Sequence, residues 1–307
     1  MRKPDFFIVG APKCGTTAMQ DYLSQHQEIF MPEVKPPLFL GKEFYFFGSD
    51  LKFIRPTLTK EKYLSYFQEA KNEKRVGEAS TWYLYSKRAA YEIKEFNPSA
   101  SIIIMLRNPV DMIYSVHSQA LYNGDEDIDD FKTALDAEPD RKRGLRLPIR
   151  RVVPVERFFY REVGQYTEQV KRYSDVFGRG NVLVIIFDDF KANTAKIYKE
   201  TLRFLGVNED FQPVFEIINP NKRARTKFLA SLLRNPPQIA QSLAKLVMPQ
   251  QLRQGLFEAL KRYNTIYEPR PPMNPELRKS LQAEFAGEIE RLSELLGRDL
   301  THWTKRL

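Results

Sequence analysis

The sequence predicts an α/β protein of three layers, with a mostly parallel central sheet, helices on both of its faces and a helical C-terminal portion. Three observations carry this expectation. Apolar runs near 6–9, 101–106 and 181–187, with a very short strand at 75–78, alternate with stretches of helical spacing, the order that builds parallel strand–helix–strand units. The runs Ser101-Ile102-Ile103-Ile104-Met105-Leu106 and Val182-Leu183-Val184-Ile185-Ile186-Phe187 are apolar without alternation, as strands buried on both faces are. The first run, Phe6-Phe7-Ile8-Val9, breaks at Gly10 into a loop that ends at Gly15, just before a helical pattern. The chain therefore opens with a strand, a tight loop and a helix.

Composition bounds the rest. With 307 residues and 42% hydrophobic content, one α/β domain over 1–307 with a proper core is expected. The formal charge of +9 favours anionic partners: nucleotides, sulfated or phosphorylated acceptors, nucleic acid or a membrane surface. Cys14 is the single cysteine, and no Cys/His grouping has metal-ligand spacing, so neither an internal disulfide nor a metal centre is expected. No apolar segment of leader or membrane-spanning length precedes the first strand. A cytoplasmic protein without stable membrane anchoring is the expectation.

The opening loop, Gly10-Ala11-Pro12-Lys13-Cys14-Gly15-Thr16-Thr17, approaches the nucleotide P-loop spacing G-x-x-x-x-G-K-[ST], in which backbone N–H groups at a helix start hold a phosphate. Thr16 stands where that motif has its lysine, and Lys13 lies inside the loop. Such a loop suits a phosphate that is held rather than transferred. A helix is expected over 18–26. Residues 31–50, rich in Pro, Gly and aromatics, read as an ordered loop whose aromatics need a surface to pack on, with Lys35 and Lys42 as its chemically interesting members. A helix over 63–71 leads to a very short strand, 75–78, ending in Glu78. A carboxylate at the C-terminal end of a buried strand stands where open α/β sheets bind ligands, although it could also serve the following helix, expected over 82–96.

Arg107 ends the strand 101–106, and Asn108-Pro109 with Asp111 forms a strong helix start. Ser115 and His117 lie on that helix. An arginine fork at a strand's end with a serine in the next helix makes a two-pronged anion site. His117 is offset from Ser115 by about 200° around the helix, which suggests packing. Residues 124–151 are acidic first and then basic, from Arg141 through Arg151, either a solvated loop or a flap that meets an anionic acceptor. An amphipathic helix over 163–177 stops at Gly178. The strand 181–189 ends in Asp188 and Asp189, expected to cap a helix over 193–205. A basic loop with Lys222, Arg223 and Arg225 follows, then helices to 302 interrupted at 236–237 and 269–275.

The form Pro12-Lys13-Cys14-Gly15-Thr16-Thr17 resembles the 5′-phosphate loop of sulfotransferases that use 3′-phosphoadenosine 5′-phosphosulfate (PAPS). Arg107-Asn108-Pro109 with Ser115 resembles the 3′-phosphate motif of the same family, and Lys42-Glu43 before aromatics resembles its segment beside the transferred group. Gly164 and Tyr166, Phe204-Leu205-Gly206 and Leu292 to Trp303 also resemble it, so the likeness spans nearly the whole chain. It is nearest to bacterial members with heparan-sulfotransferase-type motifs and to cyanobacterial domains acting on carrier-bound acyl chains.

The resemblance implies in-line transfer of a sulfuryl group from PAPS to a hydroxyl or amine. The product nucleotide would be adenosine 3′,5′-bisphosphate (PAP), and no metal is needed. It implies Lys13, Cys14, Gly15, Thr16 and Thr17 at the 5′-phosphate and Arg107 and Ser115 at the 3′-phosphate. Lys222, Arg223 and Arg225 are candidates in the loop closing over the adenosine. Glu78 is the implied base with His117 in reserve, and Lys13 and Lys42 would stabilise the leaving group. The acceptor is a small molecule, glycan or carrier-bound group, anionic or on an acidic carrier, and nucleic acid is not expected. Two rivals stay open: a P-loop kinase or NTPase, which would need Mg²⁺, and a non-catalytic basic module binding nucleic acid or a membrane surface.

Overall fold

The computed structural model describes residues 2–32, 43–52, 58–148, 154–216, 222–234, 246 and 248–305. Five parallel strands form the central sheet: β1 (Phe6–Gly10), β2 (Ile29–Phe30), β3 (Arg75–Ala79), β4 (Ser101–Leu106) and β5 (Val182–Ile186), in the order β2-β3-β1-β4-β5. Every residue of β1 and β4 is buried, which explains their unbroken apolar runs. The chain builds outward from β1 to one side, then crosses to β4 on the other. The carboxyl ends of β1 and β4 therefore flank the crevice where the order reverses, the place where such sheets bind ligands.

Helices α1 (Thr16–Ser24), α2 (Lys60–Ser65), α3 (Ala89–Phe96) and α4 (Pro109–Asn123) connect the first strands. The expected start of α4 is observed: Asn108 Oδ1 accepts from Val110 N at 3.0 Å, and Pro109 occupies the first turn. Asn108 Nδ2 also donates to the Trp303 carbonyl at 3.0 Å. One residue thus starts a helix and ties down the C-terminal segment.

Several expected boundaries shift, each for a tertiary reason. The helix expected from 82 begins at Ala89, because Ser80 N and Leu84 N donate to Ile8 and Val9 carbonyls and hold the intervening turn against β1. The helix expected over 163–177 begins only at Tyr166 and runs to Phe177, preceded by a separate short helix, Tyr160–Val163. Gly164 lies at the break, where an added Cβ would stand 2.8 Å from the Phe285 ring.

β5 ends at Ile186, and Asp188 and Asp189 fall in the first turn of a short helix, Phe187–Ala192. They do not cap the next helix, Thr194–Leu205. Asn193 does, accepting from Lys196 N at 3.0 Å. Asp189 instead pairs with Arg298, and Asp188 accepts from Trp303 Nε1 at 2.6 Å.

The C-terminal portion is helical, with Lys227–Arg234, Gln250–Asn264 and Pro275–Leu296. It also contains a small antiparallel ribbon that helical spacing conceals, β6 (Lys222–Ala224) with β7 (Thr265–Tyr267).

The largest departure lies in 124–151. Arg141 is no surface charge: it is 1% exposed and makes a two-point ion pair with Glu126, at 2.8 and 2.7 Å. Its guanidinium lies over the Phe158 ring, and Tyr160 Oη donates to Glu126 at 2.7 Å. Asp125, also buried, pairs with Arg157 at 3.1 Å. Lys142 reaches Glu138 and Glu162, while Arg143 and Arg146 reach Asp140. Arg141 is neutralised by Glu126 of the acidic half and the other described cations by nearer acids, so Arg141 belongs neither to a solvated loop nor to a flap that could meet an acceptor. Arg150 and Arg151 lie outside the described residues.

Candidate active site

The loop after β1 ends at Gly15, whose φ of +91° puts it in the left-handed region at the start of α1. Only glycine adopts that conformation freely, and an added Cβ would sit 3.2 Å from the Phe187 and Phe190 rings. Neither a side-chain cap nor an acidic first-turn residue occupies the N-terminus of α1. Its first-turn N–H groups, from Thr16 and Thr17 onward, therefore meet no protein anion in this helix, the arrangement that receives a phosphate. Cys14 is fully buried, burial pushes its thiol up to about 12, and Sγ points at the Pro12 carbonyl, 3.4 Å away. It shapes the loop and is not a nucleophile.

Lys13 projects from this loop, its Nζ donating to Gln119 Oε1 at 3.1 Å. Burial pulls the ammonium down to about 8, reinforced by the charges of Arg157, Arg270, Arg107 and Lys222. Four further cations thus act on one half-buried lysine, and Arg157 among them is itself paired with Asp125. Arg107 leaves the end of β4 with its guanidinium over the Phe187 ring, 5.0 Å from the centroid. Ser115, on α4, accepts from Arg270 at 2.7 Å. Burial, and next the charge of Arg107, bring Arg270 down to about 10. Gathering like charges in a shielded crevice is costly. A polyanion with separated phosphates would relieve that cost.

Of the three cations in the basic loop, Lys222 is the one whose charge reaches Lys13. Arg223 pairs with Glu268, and Arg225 donates to the Tyr263 carbonyl at 3.2 Å with its guanidinium over the Tyr263 ring. Both are exposed.

Glu78 is enclosed at the end of β3, beside Phe7 of β1. Tyr63 Oη donates to its Oε2, and Ser80 Oγ donates to its Oε1 at 2.7 Å. Burial pushes the carboxyl up to about 7; hydrogen bonds from Tyr63 and Ser80 oppose that rise, and the nearby Glu43 charge supports it. The carboxyl is thus poised between acid and base at neutral pH. Lys42 and Lys35 lie outside the described residues.

His117 is not brought to this site. Its Nε2 lies 2.9 Å from the Ile128 carbonyl, its ring packs against Phe131 and Tyr160, and burial holds its pKa below the ordinary value. The residue expected as a reserve base is a packed core histidine.

Three residues at the site were not singled out from the sequence. Gln119 lies one helical turn after Ser115, a spacing that could have placed it on the same face. Arg157, in the short 3₁₀ helix Val155–Phe158, and Arg270, in an irregular segment, lie far along the chain with no local signal beyond charge.

A parallel sheet whose first helix starts uncapped after β1, with Arg107 at the end of β4 on one side and the buried Glu78 carboxyl at the end of β3 on the other, is an α/β arrangement able to receive phosphate. The chain belongs to the sulfotransferase domain family, whose model matches residues 3–229. It is 30% identical to a sulfotransferase from Alicyclobacillus acidocaldarius of known crystal structure, with a TM-score of 0.70, covering 99% of this chain and 100% of that one. It is 29% identical over 219 residues to the human bifunctional heparan sulfate N-deacetylase/N-sulfotransferase 2, covering 67% of this chain and 22% of that protein. Identity to human carbohydrate sulfotransferase 15 is 23% over 252 residues, 66% of this chain and 44% of that protein. The chain thus spans about a fifth and less than half, respectively, of the length of these two relatives.

Proposed function

We propose that the protein, acting as one domain over 1–307, transfers a sulfuryl group from PAPS to a hydroxyl or amine acceptor. The observation that carries this reading is the uncapped, acid-free start of the helix Thr16–Ser24 directly after Gly15, with Lys13 tied to Gln119 of α4 and Ser115 of the same helix held by Arg270 at 2.7 Å. Backbone N–H groups of Gly15, Thr16 and Thr17, with Lys13, would hold the 5′-phosphate. Arg107 and Ser115, the latter oriented by Arg270, would hold the 3′-phosphate, and Lys222 would close over the nucleotide.

Bound PAPS supplies an activated sulfur: its bond to the 5′-phosphate oxygen breaks as the acceptor atom bonds to sulfur. Glu78 takes the acceptor proton, and Lys13 neutralises charge on the departing phosphate oxygen. The kinase alternative loses its best feature here, since Asp188 and Asp189, the acids that could hold Mg²⁺, are engaged by Trp303 and Arg298. Among the described residues no helix is long and apolar enough to cross a membrane. A cytoplasmic setting, with an anionic or acidic-carrier acceptor, completes the proposal, supported by the single buried cysteine and the net charge of +9.

Two expected results test it. PAP binds at least tenfold more tightly than AMP without Mg²⁺, because each charge-assisted hydrogen bond to the 3′-phosphate contributes ~1.5–3 kcal/mol. Titration calorimetry giving equal affinities, or a preference for ATP with Mg²⁺, would overturn the reading. The second result is a bell-shaped pH profile of kcat/KM, which reports the free enzyme. The rate rises through about 7 as Glu78 loses its proton and falls above about 8 as Lys13 loses its own. Lys13→Arg removes the alkaline fall from whatever activity remains, and an unchanged fall in that variant would rule out Lys13 as its source.

A further inference from the structure

We propose that Ser80 is a positioning residue for the Glu78 carboxyl: its hydroxyl holds Oε1 as a fixed acceptor and leaves Oε2, on the Tyr63 side, as the oxygen that gains and loses a proton. The inference rests on the reading of Glu78 as the base, and it names which of the two oxygens acts and what aims it. Ser80 stands two residues after Glu78, in the turn that follows β3, and is fully buried.

A hydroxyl has one hydrogen to give and two lone pairs that accept. At Ser80 all three are engaged. Oγ accepts from Phe44 N and Tyr45 N, both at 3.2 Å, and donates to Glu78 Oε1 at 2.7 Å. Tyr45 meets it with φ +49°, a left-handed conformation that a bulky residue keeps only where its surroundings impose it. With both lone pairs taken by amides, the hydroxyl cannot turn to accept a proton from the carboxyl. The backbone of Ser80 is held separately, its N–H by the Ile8 carbonyl at 3.1 Å and its carbonyl by Tyr83 N at 3.2 Å, so the turn itself does not need the side chain.

Tyr63 is the contrasting partner. Its hydroxyl donates to Oε2 and can rotate to accept instead, since a phenolic oxygen keeps lone pairs of its own. A proton on Glu78 therefore settles on Oε2, where the partner can reverse. The other titratable groups facing the carboxyl are Tyr83, Tyr173 and Glu43. Tyr83 supports the charged carboxyl while its own oxygen accepts from Phe46 N and Phe47 N, so it cannot reverse either. Tyr173 Oη donates to the Tyr83 carbonyl at 2.8 Å, and Glu43 accepts from Thr81 N and Oγ1. Burial keeps all three tyrosines protonated far above neutral pH, so none of them changes charge where Glu78 does.

Infrared titration of the protonated carboxyl band in the nucleotide-free full chain, with the Glu78 band identified by its loss in Glu78→Gln, tests this without an acceptor. The parent should titrate near about 7. Ser80→Ala removes a donor to the charged form and should move the titration upward by about one pH unit, and Ser80→Thr, which restores a hydroxyl, should bring it back. Thr81→Val loosens the same segment through Glu43 but leaves both Glu78 donors in place, and should titrate as the parent does. An unmoved titration in Ser80→Ala, or an equal shift in Thr81→Val, would overturn the proposal. A cooperative thermal melt shows that each variant is folded; should Ser80→Ala not fold, Ser80→Cys, whose thiol is a weak donor, takes its place with the same shift expected and the same result overturning it. The rate reports separately on the base. The acid limb of kcat/KM moves with the titration if Glu78 takes the acceptor proton, and a moved titration with an unmoved limb would sink that assignment while upholding the role of Ser80.

Discussion

Glu78→Gln lowers turnover by about 10²–10⁴, the range a positioned general base contributes, while PAP affinity stays within about twofold. The substitution keeps the shape of the side chain but removes the basic oxygen, and its amide oxygen can accept from only one of Tyr63 and Ser80, which both donate to the carboxylate. A purely structural carboxyl would leave turnover unchanged, so the rate with any competent acceptor decides the role.

Stability supplies a second readout. Burial raises the folded Glu78 carboxyl to about 7, above its unfolded range near 4.3, so the folded state holds this proton more tightly. Its stabilising contribution is complete below the unfolded value and is lost as pH rises toward 7. Glu78→Gln should therefore gain on the parent at pH 8, by an amount on the order of 3 kcal/mol at most, and show no such gain at pH 4. Thermal melts at the two pH values check this; a gain of the same size at both would mean that the carboxylate's burial cost is not its origin.

Arg141→Ala destabilises the fold by about 3–5 kcal/mol, the cost of leaving one member of a buried ion pair alone. Burial acts to raise the Glu126 carboxyl, and the Arg141 and Tyr160 hydrogen bonds outweigh it, leaving that carboxyl below its ordinary range. Without Arg141, Glu126 would keep only the Tyr160 hydroxyl and the backbone N–H groups of Asp127 and Ile128 as donors, with no opposite charge paired to it in the core. Arg143→Ser, two residues away, removes only an exposed partner of Asp140 and should change stability by no more than about 0.5 kcal/mol. Urea denaturation separates these outcomes. The double variant Glu126→Leu/Arg141→Met should recover most of the loss, because it removes both charges together. A double variant as unstable as Arg141→Ala would point to lost packing, including the contact with Phe158, as the main source of the instability.

The two cases differ in how far sequence could lead. Glu78 was visible because an acid stands near the end of a very short strand, a local pattern with a direct structural meaning. Arg141 was misread because its partner Glu126 lies 15 positions away, across two short helices. Charge runs look alike whether they face water or one another, and nothing in their composition says which.

The order of strands and helices, the left-handed Gly15 at the start of α1 and the capped start of α4 are all consequences of local residue chemistry. They follow from apolar runs, from glycine's freedom at positive φ and from Asn-Pro geometry, which act within a few residues of one another. The sequence by itself therefore determined the layered fold and the local geometry around Gly15 and Asn108. Tertiary structure alone decided that Arg270 reaches Ser115, that Arg157 and Lys222 act on Lys13, that His117 is sealed in the core and that the strand-ending acids serve Trp303 and Arg298. Those outcomes depend on groups brought together from distant segments, whose pairing is set by how the elements pack and by the cost of burying charge without a partner.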